Sequence, residues 1–165
     1  MVCYLVGEAL AYNCIGVNYY YLSDICPGNL SKAIEFHSLH HKIMNDVYGR
    51  FIAHINIGLA YKKANDHYKA QLNFKEALRY AIQLSSPVGQ TIALGHLGDS
   101  QFADVNIKKY AEKYKEMCID LNCAEGMGNA SMQLGRMYTQ EKKYDQGVEN
   151  FHRALSLSNG RENKV

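Results

Sequence analysis

Apolar positions recur along this chain at intervals of three and four, the spacing that puts them on one face of an α-helix. The pattern is clearest from Arg50 to Leu84, RFIAHINIGLAYKKANDHYKAQLNFKEALRYAIQL. It predicts two amphipathic helices joined by a tight turn. Gly58 and Tyr61 lie on the first helix, and Ala70, Phe74 and Ala77 on the second. A residue without a side chain at Gly58 lets the second helix approach closely, while Tyr61 and Phe74 fill the space on either side.

The same arrangement recurs three more times. An earlier copy has a first helix at about Tyr4 to Leu22, with Gly16 and Tyr19, and a second at about Leu30 to Asp46, with Ala33, His37 and His40. Histidines there replace an aromatic and a small residue. From Gly16 to Ala33 is 17 residues against 12 from Gly58 to Ala70, so five extra residues lie in the turn SDICPGN. Pro27 and Gly28 suit an exposed loop, where added length costs little and contacts often gather. A third copy starts near Pro87, with Ser85 and Ser86 as candidate N-caps. It carries Gly98, with Gln101 replacing the aromatic, then Tyr110, Tyr114 and Met117. A tyrosine at the usual small position means that packing there must differ. The fourth copy, MQLGRMYTQEKKYDQGVENFHRAL, restores the pattern with Gly135, Tyr138, Gly147, Phe151 and Ala154. Gly160 is the expected helix stop before a polar tail.

Four such copies make the chain similar to tetratricopeptide repeat proteins over about Tyr4 to Ser158. The resemblance implies an all-α fold: a right-handed α-solenoid of about four helix-turn-helix units, forming a single array over residues 1–165. The repeats are placed at about 4–46, 50–84, 87–122 and 125–158, with a polar tail over 159–165. The glycine-to-glycine intervals of 42, 40 and 37 exceed the usual period of about 34 residues. Lengthened repeats with a first helix such as HINIGLAY resemble those of Partner-of-Inscuteable-type adaptors. No polar capping helix follows the fourth repeat. The expectation is a fragment of a longer array, or a last repeat covered by another molecule.

In that family the first helices line a concave groove. The resemblance therefore assigns a peptide-binding face to Asn13, Val17, Asn56, Leu59, His96, Asp99, Gln133 and Arg136, flanked by Cys14, Ile55, Gly95 and Met132. Asn and Gln amides both donate and accept, which suits the backbone of an extended peptide. The competing reading is an ordinary solvated face, with Asp99 and Arg136 paired to each other. The two-Lys, two-Asn, one-Arg clamp of chaperone-binding members matches only at Asn56 in one register and nowhere in the other. Binding of a chaperone tail by that clamp is not expected.

Composition narrows the class further. In 165 residues, 47% are hydrophobic and two are proline, which favours an ordered helical protein. A net charge of +2 gives no reason to expect a nucleic acid or anionic membrane as partner. The five cysteines include no CxxC pair and are expected to be reduced thiols in a cytoplasmic protein. The N-terminal apolar run lacks a basic flank and is broken by Glu8, unlike a secretory signal or membrane span.

His37, His40 and His41 have the spacing of a helical metal pair, but the first two occupy packing positions, so no metal is expected. His54 reads as a core histidine. Lys108, Lys109, Lys113 and Lys115, with Glu112 and Glu116, read as a solvated face, with Lys108 and Glu112 spaced to pair. No phosphate loop, nucleophile elbow or HExxH is present, and neither an enzyme nor a cofactor is expected. The expected function is a non-enzymatic scaffold for a protein or peptide partner. The alternatives are a self-assembly module using the uncapped last repeat and, less favoured by the charge and the uneven periods, a helical-repeat RNA binder.

Overall fold

The computed structural model describes residues 2–99 and 105–162, with side chains over 6–99 and 105–159. Eight α-helices and no strand occur among the described residues: α1 (Val2–Leu22), α2 (Asn29–Ile43), α3 (Val47–Lys63), α4 (His67–Gln83), α5 (Pro87–Leu97), α6 (Ile107–Asp120), α7 (Ala124–Gln140) and α8 (Tyr144–Glu162). The chain divides into two compact units, Met1–Ser86 and Pro87–Val165. Within each unit every helix packs on the next in sequence, and the two first helices also touch. The fold is therefore all-α and built of consecutive helix pairs.

The glycine interlock is the organising contact of three pairs. A Cβ placed on Gly58 would lie 2.6 Å from Phe74 Cε1, and one on Gly135 would lie 2.6 Å from Phe151 Cε1. In the first pair the ring is His37, 2.7 Å from the same point on Gly16. Ala33, Ala70, Phe74, Ala77 and Ala154 are buried beside these contacts.

The turns share one device. Asn65, Ser85, Asn122 and Lys142 have positive φ of 60°, 49°, 49° and 60°. The residue after each donates its N–H back five residues: Asp66 to Tyr61, Ser86 to Ala81, Cys123 to Cys118 and Lys143 to Tyr138. This left-handed closure satisfies carbonyls that the helix end would leave orphaned. Ser85 thus closes α4 rather than capping α5.

Several sequence expectations shift. Asp46 does not end α2, which stops at Ile43. Its carboxylate instead caps α3, accepting from the Gly49 N–H at 2.7 Å. The third first helix stops at Leu97, so Gly98 and Asp99 follow it. Gln101 lies outside the described residues. In α6 the buried positions are Ala111, Tyr114 and Cys118, not Tyr110, Tyr114 and Met117. Tyr110 is too large for the small position, so the helix presents Ala111, whose Cα is 3.0 Å from the Cβ point of Gly98. Tyr114 then packs against Gly95, at 3.1 Å, one turn earlier than the glycine that meets the aromatic elsewhere. Gly160 does not stop α8, which continues to Glu162; a single glycine costs a helix only about 1 kcal/mol. Lys108 pairs with Glu141, just past the end of α7, at 3.5 Å, in place of the Glu112 offered by spacing.

Candidate functional site: the first-helix faces

In the unit Met1–Ser86, α1 and α3 lie side by side in a register of 43 residues. The Asn56 amide donates to the Asn13 carbonyl oxygen at 2.9 Å. One face of these helices therefore brings Asn13, Val17, Asn56 and Leu59 together, all four half-buried. Cys14 is exposed and Ile55 is buried, so Ile55 belongs to the core and not to the face.

Lys63 sits at the same offset of 43 residues and was not singled out in the sequence. Its ammonium donates to the Tyr20 carbonyl at 3.0 Å, lies 2.6 Å from the Asp24 carboxylate and stands 4.4 Å from the Tyr20 ring centroid. The Tyr20 carbonyl also accepts from the Ser23 hydroxyl, and a cation there suits the negative, C-terminal end of the α1 dipole. It also ties down the lengthened loop, whose Ile25 remains 85% exposed. The available signal was a basic residue in the last turn of α3, ambiguous until the neighbouring helix end was known.

In the unit Pro87–Val165, Gln133 bridges the first helices. Its amide donates to the Gly95 carbonyl at 2.8 Å, while its own carbonyl oxygen is buried without a hydrogen-bond partner. That oxygen occupies space a side chain at position 98 would need, 2.6 Å from the Cβ point of Gly98. His96 is half-buried, Arg136 and Met132 are exposed, and Asp99 lies past the end of α5 with its N–H 3.4 Å from the His96 carbonyl. Six of the eight face residues thus fall into two sets. Asn13, Asn56 and Gln133 are engaged between neighbouring helices, whereas Val17, Leu59 and Arg136 present surface beside those bridges.

Between α7 and α8 lies a mostly apolar groove of about 570 Å³, lined in part by Asn129, Met132, Phe151, Leu155 and Leu157. Met132 and Leu155 hold the positions that Asn13 and His41 hold in the first pair. There α3 covers them: Asn13 bonds Asn56, and His41 meets His54 edge to face at 4.7 Å.

The histidines of α2 are packing residues. His37 is 1% and His40 4% exposed, and their Nδ1 atoms lack hydrogen-bond partners. Burial, with the neighbouring His40, pushes the His37 imidazole down to about 4. Burial also lowers His40 against the opposing pull of Asp46, and lowers His41 with help from His54, Arg50 and His40. His54 is half-buried, bonded to Asn73 at 2.9 Å and stacked on Tyr80. Among the described residues no cluster of three or more His, Cys, Asp or Glu side chains has the geometry to hold a metal ion. No described helix is long and apolar enough to cross a membrane.

The tetratricopeptide repeat family profile matches residues 52–81 and 129–160. At these two stretches the chain is similar to tetratricopeptide repeats. No curated protein matches the chain. The matched stretches fall within the pairs α3–α4 and α7–α8, in which a phenylalanine fills the hole opposite the glycine. The pairs outside the match are those where His37 takes that place, or where Tyr114 has moved one turn. Tetratricopeptide repeats generally mediate contacts between proteins.

Proposed function

We propose that this protein is a non-enzymatic scaffold that holds a peptide or extended segment of a partner protein on its first-helix faces, in the manner of adaptor proteins with lengthened repeats. The observation that carries this reading is the Asn13–Asn56 bridge. It consumes one donor and one acceptor, leaving the Asn13 amide hydrogens and the Asn56 carbonyl oxygen for a peptide backbone, with the apolar Val17 and Leu59 beside them. The near-neutral charge favours a protein partner over a nucleic acid, and a cytoplasmic setting follows from the reduced-thiol reading of the cysteines.

The test is a photo-crosslinking residue placed in turn at Val17, Leu59, His96, Asp99 and Arg136, with Tyr68 on the exposed side of α4 as control. Adducts with one partner from the face positions and none from Tyr68 are expected. Equal labelling from Tyr68, or none from the face, refutes the reading.

The groove between α7 and α8 favours a second reading, assembly of two copies through the last pair. Leu155→Lys should then convert a dimer to a monomer in light scattering. A wild-type protein that stays monomeric at high concentration removes this alternative.

A further inference from the structure

We propose that Cys118 and Cys123 form a peroxide-responsive dithiol that closes to an intramolecular disulfide across the turn between α6 and α7. Cys118 is fully buried at the end of α6, and Cys123 is exposed at the start of α7. The left-handed Asn122 reverses the chain between them, and the Cys123 N–H bonds the Cys118 carbonyl at 2.8 Å. The backbone therefore already brings the two residues together across the turn. The Cys118 thiol lies within hydrogen-bonding reach of the Cys123 sulfur and of the Tyr114 hydroxyl.

Gly126 makes room for both sulfurs. A Cβ there would collide with the Cys118 sulfur and lie 3.3 Å from that of Cys123. Capping alone does not account for Cys123. At the corresponding position of α3 the Asp46 carboxylate accepts from Gly49 at 2.7 Å, whereas the Cys123 sulfur accepts from Gly126 at 3.4 Å, and thiols are weak acceptors.

The accessible sulfur reacts first. The Cys123 thiolate attacks the peroxide O–O bond, gives sulfenic acid and releases hydroxide, which takes up the thiol proton to become water. Cys118 then attacks the sulfenic sulfur, and its proton leaves with the hydroxyl group as a second water. In sum, two thiols and one hydrogen peroxide become one disulfide and two waters. Burial pushes the Cys118 thiol up to about 11, which suits the resolving role more than first attack.

The test uses the whole chain, treated with hydrogen peroxide, alkylated and digested with trypsin without reduction. Cleavage after Lys115 and Arg136 leaves both cysteines, and no others, on one fragment, 116–136. That fragment should be lighter by two hydrogens and carry no alkyl group, and dithiothreitol should restore two alkylation sites. Cys118→Ser should instead accumulate a dimedone-reactive sulfenic acid at Cys123, and Cys123→Ser should leave Cys118 reduced. Circular dichroism confirms that each variant is folded; if Cys118→Ser is not, Cys118→Ala replaces it. A doubly alkylated fragment after peroxide overturns the proposal. So does a dimedone adduct that forms as readily in the wild type as in the Cys118 variant.

Discussion

Gly58 of α3 and Phe74 of α4 are packed so closely that the phenyl ring occupies the space in which any other residue would carry its Cβ. Gly135 and Phe151 repeat the contact with the same 2.6 Å approach. Gly58→Ala should therefore destabilise the protein even though alanine favours helix. Overpacking costs about 1–3 kcal/mol against about 1 kcal/mol returned by propensity. Phe74→Ala should cost about 3–5 kcal/mol, as expected for an emptied core site. Urea midpoints of the two variants check both, and a stabilised Gly58→Ala protein would show that the interlock is not under steric pressure.

The first pair answers the same geometric demand with an imidazole, and this makes its stability depend on pH. The folded His37 titrates near 4, below the ordinary 6.5 of an unfolded chain. Between these values the unfolded state binds more protons. The stabilisation is present above pH 6.5 and is lost as pH falls toward 4, by roughly 3 kcal/mol for His37 alone. His40 and His41 shift in the same direction. His37→Phe, which copies the other pairs, should flatten the fall in urea midpoint between pH 7 and pH 4.5. An unchanged slope would assign the acid sensitivity to other groups.

Left-handed backbone is cheap for glycine, tolerable for asparagine and strained for most other residues. Lys142→Gly and Ser85→Gly should each raise stability by about 0.5–1 kcal/mol. Asn65→Gly and Asn122→Gly should change it by no more than a few tenths of a kcal/mol. Thermal melts of the four variants distinguish the two classes.

The Asn13–Asn56 bridge joins residues of different pairs, so its contribution should appear as coupling. Single alanine variants and the double variant should give an interaction energy of about 0.5–1.5 kcal/mol. Additive single effects would mean that the two amides are held independently, each by its own helix.

Much of this architecture was legible in the chain itself. Helical period, turn positions and the Gly58–Phe74 and Gly135–Phe151 interlocks all follow from spacing along a regular helix, because residues three and four apart share a face whatever surrounds them. The lengthened first loop was likewise countable from Gly16 to Ala33. The third pair was less legible. A tyrosine at position 110 signalled a change, but only packing decided that α6 would present Ala111 and move Tyr114 beneath Gly95. The face residues resisted for a related reason. Spacing singled out Asn56 and Gln133, and only the neighbouring first helix decided that each amide donates across to it.

The sequence by itself determined helices, pairs and the glycine contacts within pairs, since each depends on residues close in the chain and on a fixed helical geometry. Tertiary structure alone decided which polar side chains bridge successive pairs, that Lys63 caps a helix 43 residues earlier, and that two thiols meet over Gly126. Those outcomes depend on the distances and angles between helix axes, and no one-dimensional spacing encodes them.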